Sequence, residues 1–170
     1  MTQLRPARFV DVPALVDMLV DQQKTSIYAE TVNVDRDHAR KLLAHMVQRH
    51  GGTHDGATCV FVCEASDGAI AGFCAGMLNR VYMIGTELMA QDAFLVVARG
   101  APGAAVLQLL DAYLAWAEAS PKVREIQLSH TAAIPGSERI AKLYRRKGFV
   151  PFGRSYRREV AAPVTMKEAA

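Results

Sequence analysis

The chain has 170 residues, 51% of them hydrophobic and 22% charged, with a formal net charge of +3. That length suits one folded domain spanning residues 1–160, and the composition is that of a globular chain, not a disordered one. The small net charge demands no polyanionic partner, and no apolar run approaches the ~20 residues of a membrane span.

Residues 4–9 read as a short strand, with Pro6 suited to an edge or a strand start. Asp11 is placed to cap a first helix whose buried stripe is Ala14, Leu15, Met18 and Leu19. Residues 24–34 show no clean period and are expected to form a loop. A second helix begins at Asp35 or Asp37, turns Ala39, Leu42, Leu43, Met46 and Val47 inward, and ends at Gly51-Gly52. Residues 58–65 are strand-like, Ser66-Asp67-Gly68 is a turn, and residues 69–78 return as the second arm of a hairpin. Residues 79–91 fit either strand or loop.

The segment 92–119 organises the rest. Residues 93–97 form a continuous apolar run, as in a strand buried on both faces. Arg99-Gly100-Ala101-Pro102-Gly103 breaks it, with Pro102 suited to the first helical position. Val106, Leu109, Leu110, Tyr113 and Ala117 then recur as one helical face. A strand that enters a glycine-containing turn opening a helix can hold an anion, because the first helical N–H groups have no internal partner and lie at the positive end of the dipole. The competing reading is an ordinary corner between strand and helix.

Residues 123–129 form a further strand, with Ile126 and Leu128 on one face. Pro135-Gly136-Ser137 introduces a last helix with Ile140, Leu143 and Tyr144 apolar, and Gly148 closes it after Arg145, Arg146 and Lys147. Residues 149–151 and 155–160 are expected as two short final strands, and 161–170 as a flexible tail. The order is β-α-α-β-β-β-α-β-α-β-β, an α/β chain best satisfied by a mixed, largely antiparallel sheet with helices on both faces.

The three cysteines, Cys59, Cys63 and Cys74, are an odd number. The opening Met-Thr-Gln-Leu-Arg-Pro reads into structure and not as a leader, so reduced thiols and a cytoplasmic location are expected. His38, His45, His50 and His54 lack acid or cysteine partners at metal-binding spacing, so no metal is expected. From Ser120 to Arg158 ten Lys or Arg stand against two acids, Glu125 and Glu138. That excess suits a solvated face or a phosphorylated ligand; nucleic acid is the less favoured partner, because few aromatics interleave the charges.

Two local patterns, read in this order of elements, resemble the GNAT superfamily of acyl-CoA-dependent N-acyltransferases. Arg-Gly-x-x-Gly-Ala at 99–104 is similar to the family's pyrophosphate loop. Ala141-Lys-Leu-Tyr-Arg-Arg-Lys-Gly-Phe149 is similar to its Leu-Tyr-x-x-x-Gly-Phe ending, and the opening at 4–15 is also family-like. Pro102 replaces the family's middle glycine and removes one amide. The resemblance covers residues 4–160 and implies a GNAT-like fold. It further implies acetyl-CoA as co-substrate, a primary amine of a small molecule, peptide or protein as acceptor, and N-acetyl transfer as the activity. A catalytically degenerate module acting through protein contacts is the alternative, and a homodimer is compatible with either.

The implied coenzyme cradle is Arg99, Gly100, Ala101, Gly103 and Ala104, with the backbone N–H of Val96 or Val97 polarising the thioester carbonyl. Tyr144 falls at the family's general-acid position; its competing role is to pack the last helix. For proton removal Asp92, Glu87, Ser129 and His130 stand open, as does a chain of water. The site residues so marked are Tyr144, Asp92 and Ser129.

Overall fold

The computed structural model describes residues 2–153 and 155–160, and the expected tail 161–170 lies outside them. Five strands form one sheet in the order β1-β2-β3-β4-β5. They are β1 (Thr2–Pro6), β2 (Thr58–Ala65), β3 (Ile70–Arg80), β4 (Leu88–Val97) and β5 (Val123–Gln127). The first four run antiparallel to their neighbours, and β5 joins β4 in parallel. The helices are α1 (Val12–Gln23), α2 (Arg36–Gln48), α3 (Gly103–Glu118) and α4 (Glu138–Arg146).

The alternation of side chains along β2 and β3 sorts the interior into two layers. Val60, Val62, Phe73 and Ala75 meet Leu15 and Val16 of α1 and Leu43 and Met46 of α2 on one face. Cys59, Cys63, Cys74, Leu78 and Ala90 meet Leu109, Leu110, Tyr113 and Ala117 of α3 and Tyr144 of α4 on the other. The mixed α/β sandwich expected from periodicity is the one observed. All three cysteines are free and buried on the α3 side. Burial, with a smaller push from neighbouring thiol and Asp92 charges, raises the Cys74 thiol to about 12, and burial with the neighbouring Cys74 raises Cys59 as well.

Three expectations need correction, and one open stretch is resolved. Residues 149–153 and 155–160 form no strand, and Val150, Phe152, Tyr156 and Val160 are exposed there. Pro151 lacks the donor a ladder needs, and β5 ends at Gln127, two residues short of the strand expected at 123–129. The ambiguous stretch 79–91 resolves into the end of β3, a tight turn and the first rungs of β4. Tyr82 and Met83 occupy the centre of that turn with φ of 54° and 62°, and Ile84 N–H closes it onto the Val81 carbonyl at 3.3 Å. Asp11 does not cap α1 with its side chain. Its carboxylate instead accepts from Arg8 N–H at 2.7 Å and from the Arg5 guanidinium at 2.7 and 3.0 Å. Pro102 stands just outside α3 as its N-cap and not as the first helical residue.

Candidate active site

Strands β4 and β5 are paired only from Leu88↔Val123 to Gln91↔Gln127. Beyond that rung β4 continues to Val97 while β5 stops, so one edge of β4 is open from Asp92 to Val97. The parting coincides with a bulge: Ala75 faces Phe94 and Gly76 faces Asp92, which leaves Ala93 extra. The run 93–97 that reads as a doubly buried strand, half-buried at Ala93, Phe94 and Leu95 and exposed at Val97, therefore borders a cleft along its open edge.

The ladder decides which amides face it. Ala98 N–H donates to the Ala71 carbonyl on β3 at 2.8 Å. Successive N–H groups of a strand alternate in direction, so Val96 N–H also points at β3, whereas Val97 and Leu95 point out of the sheet edge. Of the two candidate polarisers, Val97 presents its amide to the open edge and Val96 does not; Val96 is also buried.

At the far end of this edge the chain turns into α3. Gly100 adopts φ +82°, the left-handed region that glycine enters at little cost. Ala101 N–H is taken by the Ala98 carbonyl at 3.0 Å, so it is withdrawn from the expected cradle. Among the described residues no acceptor is bonded to the amides of Gly100, Gly103 or Ala104. A Cβ built on Gly100 or Gly103 meets nothing within 4 Å, so among the described residues no side chain lies against either glycine at the helix mouth. Arg99 is exposed beside it.

At the near end three of the marked residues converge. Ser129 N–H donates to Asp92 Oδ1 at 2.9 Å, tying β4 to the chain leaving β5. Tyr144 O–H donates to the Ser129 carbonyl at 3.4 Å. Tyr113 O–H donates to the Gln127 carbonyl at 3.3 Å, just inside the parting. Its ring fills the space where Gly76 has no side chain, since a Cβ there would lie 2.4 Å from Tyr113 Cε2. Burial pushes the Asp92 carboxyl above its ordinary value, and the Ser129 hydrogen bonds pull part of the way back. Burial raises the Tyr144 phenol too, and the neighbouring Asp92 charge adds to the rise.

Glu87 is exposed before the start of β4, bonded to Thr86 Oγ1, and His130 is exposed past β5; neither joins this group by a hydrogen bond. The histidines do not gather: among the described residues no group of three or more His, Cys, Asp or Glu could hold a metal ion. His50 accepts the Val60 N–H on its ring at 2.9 Å. Tyr113 escaped the sequence reading as a site residue because its spacing on α3 is that of a core position, and only the missing side chain at Gly76 signals the close approach.

No model of a known protein family matches the sequence, and no curated protein matches it. Solved structures match it in shape. An acetyltransferase from Trypanosoma brucei superposes with a TM-score of 0.66 at 17% identity, covering 94% of this chain and 100% of that one. Glucosamine-6-phosphate N-acetyltransferase from Arabidopsis thaliana gives 0.67 at 10% identity, over 95% and 99%. Ribosomal-protein-alanine N-acetyltransferase from Brucella melitensis biovar Abortus 2308 gives 0.65 at 15%, over 95% and 100%. The chain has the GNAT fold of these acetyltransferases.

Proposed function

We propose that this protein is an N-acetyltransferase that moves the acetyl group of acetyl-CoA to a primary amine. The observation that carries the reading is the open β4 edge, with unbonded amides at its α3 end and the Asp92–Ser129–Tyr144 group at its other end. The two ends are five residues apart along the strand, about 17 Å at the usual rise. Gly100, Gly103 and Ala104 with Arg99 suit the coenzyme's diphosphate, and the outward N–H of Val97 suits the amide-bearing arm that would lie along the edge, in place of the thioester oxygen expected for it from sequence. Pro102 contributes no amide, and the cradle is built around it.

The chemistry then falls at the parting. An amine of pKa near ~10.4 must lose a proton at a cost of roughly 4–5 kcal/mol at neutral pH. Asp92, with its raised pKa, is the carboxylate at the parting that receives it, through water. The amine nitrogen bonds to the thioester carbon as the carbon–sulfur bond breaks. Leu95, the outward N–H nearest Asp92, is aimed at the oxygen where charge develops. Tyr144 donates a hydrogen bond to the departing sulfur. A thiol titrates below a buried phenol, so the tyrosine stabilises the thiolate mainly by that bond and not by completing a proton transfer.

Calorimetric titration with acetyl-CoA tests the reading. Binding in the micromolar range that Arg99→Glu weakens at least about ten-fold supports it, since that change puts a like charge beside the diphosphate. Absence of binding by the unaltered chain overturns it, and leaves a module that acts through protein contacts.

A further inference from the structure

On the α1 and α2 face of the sheet, three half-buried amide side chains and a carboxylate are joined in one directed chain. Asn79 Nδ2 donates to Gln91 Oε1 at 3.0 Å, Gln91 Nε2 to Gln127 Oε1 at 3.1 Å, and Gln127 Nε2 to Glu125 Oε1 at 2.6 Å. Every bond points the same way, so the row runs across β3, β4 and β5 and ends on the Glu125 carboxylate. Gln91 and Gln127 form the last paired rung before the strands part. Among the described residues no Lys, Arg or His is paired with Glu125. Glu125 is therefore a half-buried negative charge two residues back from the parting, with one oxygen held by Gln127 and the other available.

The face matters. The helix mouth, Asp92 and Tyr144 belong to the α3 layer, so a coenzyme held there fills the cleft from that side. An amine attacking a carbonyl lodged between β4 and β5 must then arrive through the parting from the opposite face, where the row of amides lies. We infer that Glu125, presented by the Asn79–Gln91–Gln127 row, is a binding residue for the acceptor, and that the acceptor carries a second positive charge several bonds from its reacting amine. The inference rests on the acetyl-transfer reading and names its substrate class. Glu125 stands opposite Met89, six residues along β4 from Leu95 and so about 20 Å from it at the usual rise, a gap that the Glu125 side chain and an extended diamine bridge together and that adjacent charges do not. The amide row orients the carboxylate; a free carboxylate on a flexible side chain would bind the same cation with less geometric demand.

Steady-state acetylation of cadaverine and of pentylamine, equal in length and differing by one ammonium, tests this. Cadaverine is expected to be preferred by about ten-fold in kcat/KM, through KM and not kcat, with the preference shrinking in about 0.5 M salt. Glu125→Gln, which keeps an oxygen for Gln127 to donate to, is expected to bring the two amines near parity. The assignment is overturned if wild-type protein uses both amines equally, or if the preference survives Glu125→Gln. Acetyl-CoA binding with acetylation of pentylamine but no diamine preference sinks this assignment alone. Failure to bind acetyl-CoA sinks the transfer reading and the assignment with it.

Discussion

Asp92 shows how one side chain can serve activity at the expense of stability. Its carboxyl titrates higher in the folded chain than in the unfolded one because burial disfavours the charge. The folded state is then penalised at neutral pH, where the group is ionised, and relieved as the pH falls towards the ordinary carboxyl range. Asp92→Asn is expected to raise the melting temperature at pH 7, to lose that gain near pH 3, and to abolish most acetylation. An unchanged turnover would remove Asp92 from the reaction. Asp11 behaves oppositely. Hydrogen bonding to Arg5 holds its carboxyl below the ordinary value, so its contribution is present above the unfolded pKa near 3.8 and fades as the pH drops below it. Asp11 is only 6% exposed, so Arg5→Ala strands a buried charge and is expected to cost about 3 kcal/mol in chemical denaturation at pH 7. The deficit should narrow in acid. For Tyr144, replacement by Phe keeps the packing with Phe149 and removes the hydroxyl. It is expected to lower kcat roughly 10²-fold with little change in coenzyme affinity; an equal loss of both would make it a packing residue.

At the scale of elements, the cleft is made by what β4 does not do. Gly76, Tyr113 and the bulge at Ala93 cooperate at the point where β5 leaves. The aromatic ring needs the vacant side-chain position, and its hydroxyl holds the last β5 carbonyl. Gly76→Ala puts a methyl carbon into that ring and is expected to destabilise by about 1–3 kcal/mol. Because the ring must shift, the Gln127 anchor should loosen as well, and coenzyme affinity should fall with stability. A variant with lowered melting temperature and intact affinity would separate Tyr113 from the shaping of the cleft. None of this is visible in periodicity. Residues 93–97 look like a strand covered on both sides, whereas the open edge follows from the length of β5 and the register of its pairing. Asp92 and Ser129 meet across 37 positions of sequence, which no local pattern anticipates.

Across the whole molecule, what could be read from the residues was whatever repeats at short range. The stripes of α1, α2 and α3 put Leu15, Leu43, Met46, Leu109, Leu110 and Tyr113 on the layers where they are found, but Leu42, expected inward on α2, is exposed. The anion-suited turn at 99–104 was also legible, since glycine and proline mark it directly; the loss of the Ala101 amide to Ala98 was not. The final two strands are an over-reading, because the short segments 149–151 and 155–160 look the same in sequence whether or not a neighbouring edge exists to receive them. The amide row went unnoticed for the same reason in reverse: 79–91 has no period until the hairpin register aligns Asn79 and Gln91 with Gln127. The cysteines, set aside as core, have a practical use. Cys59, Cys63 and Cys74 are sealed beneath α3 with their thiolates suppressed by burial. Alkylation should therefore wait for α3 to lift from the sheet, so the labelling rate, followed by mass spectrometry with and without acetyl-CoA, would act as a clock for that opening and report how firmly an occupied cleft latches it shut.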